Sequence, residues 1–131
     1  MHSPTTSLVA ALAGALLALS VQQPTSGDPV RPCHQNPELV GSCYTVRGRL
    51  GVYNGSMIFR IWVVGTDRIL GVTERRSPFC RLPSYLENAV RPDSNVFANF
   101  VVCPLAADKP EEMREVCVDT AYNIAVRSSH R

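Results

Sequence analysis

Residues 44–64 read YTVRGRLGVYNGSMIFRIWVV, and this stretch decides the fold. Asn54-Gly55 lies between two alternating apolar runs. That is the pattern of a β-hairpin with a two-residue turn, because Asn and Gly accept the positive φ such a turn needs. The turn pairs Tyr53 with Ser56, Val52 with Met57, Leu50 with Phe59 and Val46 with Val63. Side chains alternate along a strand, so Val46, Leu50 and Val52 share a face with Met57, Phe59, Ile61 and Val63. This is the expected core face. Gly48 falls on it opposite Ile61, where a missing side chain permits a sharp bend.

The second face of the hairpin sets Arg47 across from Trp62, Arg49 across from Arg60 and Gly51 across from Ile58. Like charges directly opposite cost on the order of a few tenths of a kcal/mol. A guanidinium over the indole returns ~0.5–1 kcal/mol. Arg47, Arg49, Arg60 and Trp62 thus form a candidate surface for an anionic or acidic partner. The competing reading is that arginine stems cover apolar surface while Glu74 or Glu87 neutralises their heads. In that reading the 74–92 connection covers Trp62.

Outward from the hairpin, a turn at residues 65–67 leads to a third strand at 69–73, with Leu70 and Val72 on one side. Residues 74–92 break the pattern with charges and prolines, and 83–90 suit a short helix. Residues 95–103 alternate again, with Val96, Ala98, Phe100 and Val102 inward. A polar connection precedes a last strand at 114–122, with Val116, Val118 and Thr120 on one side. The order strand-strand-strand-helix-strand-strand predicts an all-β domain with one short helix. The expected architecture is a small five-stranded antiparallel barrel, OB-like, with a simple antiparallel sheet or sandwich as the alternative. Closure removes exposed strand edges.

The ends of the chain differ from this middle. Residues 8–19 (LVAALAGALLAL) form an uncharged apolar block followed by small residues, which predicts a signal peptide over 1–20. The block is shorter than the ~20 apolar residues a bilayer span takes. Residues 1–7 carry no Lys or Arg, so an uncleaved anchor is the alternative. Residues 21–42 read as a flexible leader, 43–126 as one β domain and 127–131 as a frayed tail. The expected location is periplasmic or extracellular, with no stable membrane span after cleavage.

The cysteines agree with export. Cys33, Cys43, Cys80, Cys103 and Cys117 all follow the cleavage point, and none forms a Cys-x-x-Cys pair. An odd count leaves one thiol over, and spacing does not select the pairing. Cys103 and Cys117 share the non-core side of neighbouring strands, which predicts a Cys103–Cys117 bridge. A Cys33–Cys43 bridge would then tie down the start of the domain.

The segments GRLGVYNG, RIWVVGTDRILGV, VFANFVVCP and EMREVCVDTAYNI resemble those of a family of small exported bacterial proteins of uncharacterised function. The resemblance covers residues 43–124. It implies export and a compact β domain, and it carries no catalytic residue over. Cys33 and Cys80 lie outside its marks.

Little in the chain points to a reaction. A net charge of +2 is too small to imply nucleic acid, although 13 basic residues include only one lysine, Lys109. After residue 20 the only histidines are His34, beside Cys33, and His130, in the tail, and neither sits with a nucleophile. Asp108, Glu111, Glu112, Glu115 and Asp119 gather near the last hairpin, where solvated loop acids are the plain reading. No calcium loop or phosphate-binding glycine loop is present, so no metal or cofactor is implied. Asn54-Gly55-Ser56 matches a glycosylation acceptor, but the turn already accounts for it. The expected function is a non-catalytic binding or structural domain. Its partner would be an acidic protein segment or an envelope polyanion rather than nucleic acid. The alternative is a small secreted hydrolase using paired carboxylates.

Overall fold

The structure, a computed structural model, describes residue 14 and residues 31–55, 57–74 and 77–129. The expected signal peptide, the first part of the leader and His130 therefore lie outside the described residues. The elements are β1 (Tyr44–Val52), β2 (Phe59–Val63), β3 (Ile69–Val72), α1 (Ser84–Glu87), β4 (Ser94–Pro104) and β5 (Arg114–Ser128). The strands close in the order β1-β2-β3-β5-β4, an all-β barrel with a short helix between the third and fourth strands. The barrel is mixed rather than antiparallel, because β3 and β5 run parallel. Five strands cannot alternate direction all the way round a ring, so one parallel contact is unavoidable.

The inward positions are those that alternation selects. Leu50, Ile61, Val96, Ala98, Phe100, Val102 and Val116 are fully buried. Burying each large apolar side chain is worth ~1.5–3 kcal/mol. Leu86 of α1 joins this cluster. Gly48 leaves the space that the Ile61 side chain occupies, so a Cβ there would collide with it.

Thr120 is exposed, contrary to the expected inward side. Val102 pairs with Val118 but Val101 with Thr120, so β5 carries one extra residue at Asp119 and its alternation changes phase. Ala121, rather than Thr120, then packs against the core opposite Phe100. A second irregularity near Asn123, whose φ is 53°, lets β5 continue to Ser128. Arg127 and Ser128 pair with Asn95 and Ser94, so the strand reaches into the expected tail.

The hairpin keeps its faces but not its register. Leu50 pairs with Ile61, Val52 with Phe59, Gly48 with Val63 and Arg49 with Trp62. The Tyr53 amide donates to the Ile58 carbonyl at 2.7 Å, leaving a four-residue loop. Positive φ falls at Gly55 and Met57, not at Asn54. The wider loop frees Met57 to lie over Gly71, where the missing Cβ makes room for its sulfur and that of Met113. The shift is two residues, the period of a strand, so the paired residues keep their faces, whereas Met57, expected inward, lies in the loop over the outward side of Gly71.

The disulfides join Cys33 to Cys117 and Cys43 to Cys103, and Cys80 is free and buried. The expected Cys103–Cys117 and Cys33–Cys43 bridges are therefore replaced by an exchange of partners among the same four residues. Cys103 does face Cys117 across β4 and β5. It also follows Val102, which pairs with Tyr44 on β1, so Cys43 is its neighbour on the other side. Cys33, Cys103 and Cys117 form a second small core with Leu39, Cys43 and Leu105. The non-core side of these strands is covered by residues 33–39 of the expected leader. A single 3-10 turn, Cys33–Gln35, lies there, and Asn36 is buried behind it. No helix of the described residues is long and apolar enough to cross a membrane.

Candidate functional site

Register places Trp62 on β2 beside Arg49 on β1, and Arg49 beside Phe97 on β4. All three occupy outward positions between core residues, so they form one row across three strands. The Arg49 Cζ lies 5.5 Å from the centre of the Trp62 ring, and the Arg127 Cζ lies 5.9 Å from that of Phe97. Each such contact is worth ~0.5–1 kcal/mol when exposed. The row opens into a cleft of ≈220 Å³ lined by Arg49, Trp62, Val63, Val64, Thr66 and Phe97, with Gly65 at its rim.

Among the described residues, two polar groups on residues that line this cleft lack a carboxylate or acceptor partner. Among the described residues, no carboxylate forms an ion pair with Arg49. The Trp62 Nε1 is buried and finds no acceptor. A buried donor left unsatisfied costs ~1–3 kcal/mol, so an acceptor delivered by a partner gains more here than at an exposed N–H. The cation and the donor ask for the same chemistry: an anionic oxygen.

The four expected site residues therefore divide. Arg49 and Trp62 come together. Arg47 does not face Trp62; it pairs with Asn99 and donates from Nη1 to the Asn123 carbonyl at 2.8 Å. Arg60 does not face Arg49; it lies over the Tyr53 ring at 5.1 Å and donates to the Met57 carbonyl. The longer loop causes both corrections: it sets Arg49 on Trp62 and Arg60 on Tyr53 instead of against each other, and it takes Arg47 off the indole. Phe97 and Arg127 were missed. Phe97 had a signal, a large aromatic at an outward position of a predicted strand. Arg127 had none, because it fell in the expected tail.

Arg60 instead lines a second cleft of ≈350 Å³ with Asp67, Arg68, Ile69, Glu111, Glu112 and Met113. Its charges are mixed. Arg68 is ion-paired with Asp108 and donates to the Lys109 carbonyl. The five clustered acids of the sequence are thus dispersed. Glu111 and Glu112 line this cleft, Asp108 holds Arg68, and Glu115 sits on β5 opposite Gly71. Asp119 lies elsewhere: one of its oxygens meets the His34 Nδ1 at 2.8 Å and accepts from the His34 backbone N–H at 3.0 Å. That contact pins the 3-10 turn to β5, and no hydroxyl or thiol among the described residues hydrogen-bonds the ring.

Cys33, Cys103 and Cys117 place their sulfurs within 4.8 Å of one another. All three are disulfide-bonded, so they offer no thiolate to a metal. Set against family models, curated proteins and solved structures, the chain finds no match.

Proposed function

We propose that this protein is an exported, non-catalytic binding domain that captures the carboxylate or phosphate group of an acidic partner in the Arg49–Trp62–Phe97 cleft. The observation that carries this reading is the pairing of an Arg49 guanidinium without a carboxylate partner and a buried indole N–H without an acceptor. The ring faces add an apolar wall, so the anion would be carried on a body with flat or apolar surface. Export is supported by two disulfides, which persist in oxidising compartments, and by the apolar block at residues 8–19. The resemblance to small exported proteins supports it as well.

The single tryptophan makes the test direct, because any change in indole fluorescence reports Trp62. Titration with a glutamate-rich peptide should change that emission and saturate. The affinity should fall with added salt, since screening shortens to ~8 Å at physiological ionic strength. It should fall again in Arg49→Gln. Emission that ignores acidic peptides and short polyphosphates alike, in low salt, would remove the cleft from consideration.

A further inference from the structure

We infer that β5 is a dimerisation edge: two copies of this chain pair antiparallel through residues 123–127, continuing the sheet from one barrel into the other. The inference is independent of the cleft and starts from hydrogen-bond direction. The first residues of β5 pair with β3 only as far as Val116. Further along, the free side is partly closed: the Asp119 side chain takes the His34 amide, and the Ala121 N–H donates to the Tyr85 hydroxyl at 2.9 Å. At Ile124 and Val126 no comparable contact is found among the described residues.

The phase of the ladder shows which groups face out. Ser129 donates its N–H to the Asp93 carbonyl at 2.8 Å, on the β4 side. In an antiparallel pair successive residues point their N–H and C=O groups to alternate sides. Ala125 and Arg127 therefore bond toward β4, whereas Ile124 and Val126 present theirs outward. No backbone bond from Ile124 or Val126 to another element is found among the described residues. This edge carries no Pro and no Lys, the residues that commonly blunt an exposed strand.

The side chains agree with the backbone. Val126 lies opposite Val96, on the core-facing side of the sheet, yet it is 53% exposed against 0% for Val96. Ile124, Tyr122 and Tyr85 are also exposed. Half of the exposed large apolar residues of the described chain thus lie at this one end. The β4–β5 ribbon continues past the barrel with the apolar side of its inner face in water.

The sequence of the edge specifies a second copy rather than an unrelated strand. Residues 123–127 read Asn-Ile-Ala-Val-Arg, which has the same character from either end about Ala125. A twofold axis at Ala125 sets Ile124 against Val126 of the partner subunit, and the small Ala125 against its own copy. It brings the outward N–H and C=O groups of 124 and 126 together. Asn123 lies level with Arg127 of the partner subunit, so no like charges meet. The two Arg127 residues stand four positions apart, ~13 Å at strand rise, beyond the ~8 Å screening length. An edge this short makes a small interface and a weak, reversible dimer.

Sedimentation equilibrium of the purified chain, from micromolar to submillimolar concentration, tests this. The expected result is a monomer–dimer equilibrium that weakens at least ~tenfold in Val126→Lys. Val40→Lys, at another exposed valine, should leave it unchanged. Amide exchange on the same samples should slow with concentration at Ile124 and Val126 but not at Ala125 or Arg127. A monomer throughout, association that survives Val126→Lys, or protection confined to other amides would each overturn the proposal. A monomer would leave the edge to a foreign extended segment.

Discussion

The two clefts on the outer face both carry arginine, but acids line one and aromatic rings the other, so they end in different electrostatic states. Around Arg60 and Arg68, every arginine stands near acids of the 105–113 connection or near Asp67. Around Arg49 no acid of the described residues lines the cleft, and the guanidinium lies on an indole instead. The larger cleft therefore has its charges answered from within, and the smaller one does not. A binding surface is better recognised by charge and hydrogen-bonding capacity left unmet than by the space available.

The largest way to break this comparison is to loosen the frame beneath one cleft. The Cys43–Cys103 bridge, spanning 60 residues, ties β1 to β4, the strands that carry Arg49 and Phe97. Replacing both cysteines by alanine should cost about 4 kcal/mol in the chain-entropy account, read as a lower urea midpoint. Amide protection should drop further along β1 and β4 than along β2 and β3. Next in size is the binding effect. Arg49→Gln should weaken capture of an acidic peptide at least ~tenfold, since a hydrogen bond to a charged group is worth ~1.5–3 kcal/mol. Arg68→Gln should leave that affinity alone, and equal losses in the two variants would erase the distinction between the clefts.

Smaller still is the effect of the ion pair in the second cleft. Asp108→Ala removes an exposed partner of Arg68 and should cost under ~1 kcal/mol, shrinking further in high salt. The smallest effect concerns Glu74. Partial burial of its carboxyl, then the like charge of Glu87, hold it above its ordinary value of 4.5 against the opposing pull of Arg81. The folded state then binds this proton more tightly than the unfolded chain does. The group favours folding below about pH 4.5, and that contribution is lost as pH rises through the raised value. Glu74→Gln should thus be slightly more stable than the parent at pH 7 and equal to it in acid, by thermal unfolding across that range.

The faces were legible because they depend only on a period of two. Leu50, Ile61, Val96 and Phe100 could be placed inside from alternation alone, and the two-residue slip of the hairpin left them there. Register was not legible, because Asn54-Gly55 fits a short turn and also fits inside a longer loop; the deciding contact, Met57 over Gly71, joins segments that alternation does not connect. The same limit hid the disulfides. Cys103 has Cys117 on β5 to one side and Cys43, just before β1, to the other, and local pairing of β4 with β5 named only the first. Asp119 marks a third limit, since an extra residue in one strand of a ladder reverses the positions that follow, here as far as the second irregularity near Asn123, and moved Thr120 to the surface. Of the site, Trp62 and Arg49 were found for the right face with the wrong neighbour.

The crossing of the disulfides bears on how the chain is made. Cys33 and Cys43 are synthesised first, only ten positions apart in the sequence, while the mate of Cys33 lies 84 residues downstream in the final strand. Were the chain oxidised as it emerged, those two thiols would be the first available to each other, and a link between them would be non-native. In that case oxidation would have to wait for the final strand, or an isomerase would have to reopen the early link. Yield in a host lacking such an isomerase is thus set by timing rather than by the stability of the finished molecule.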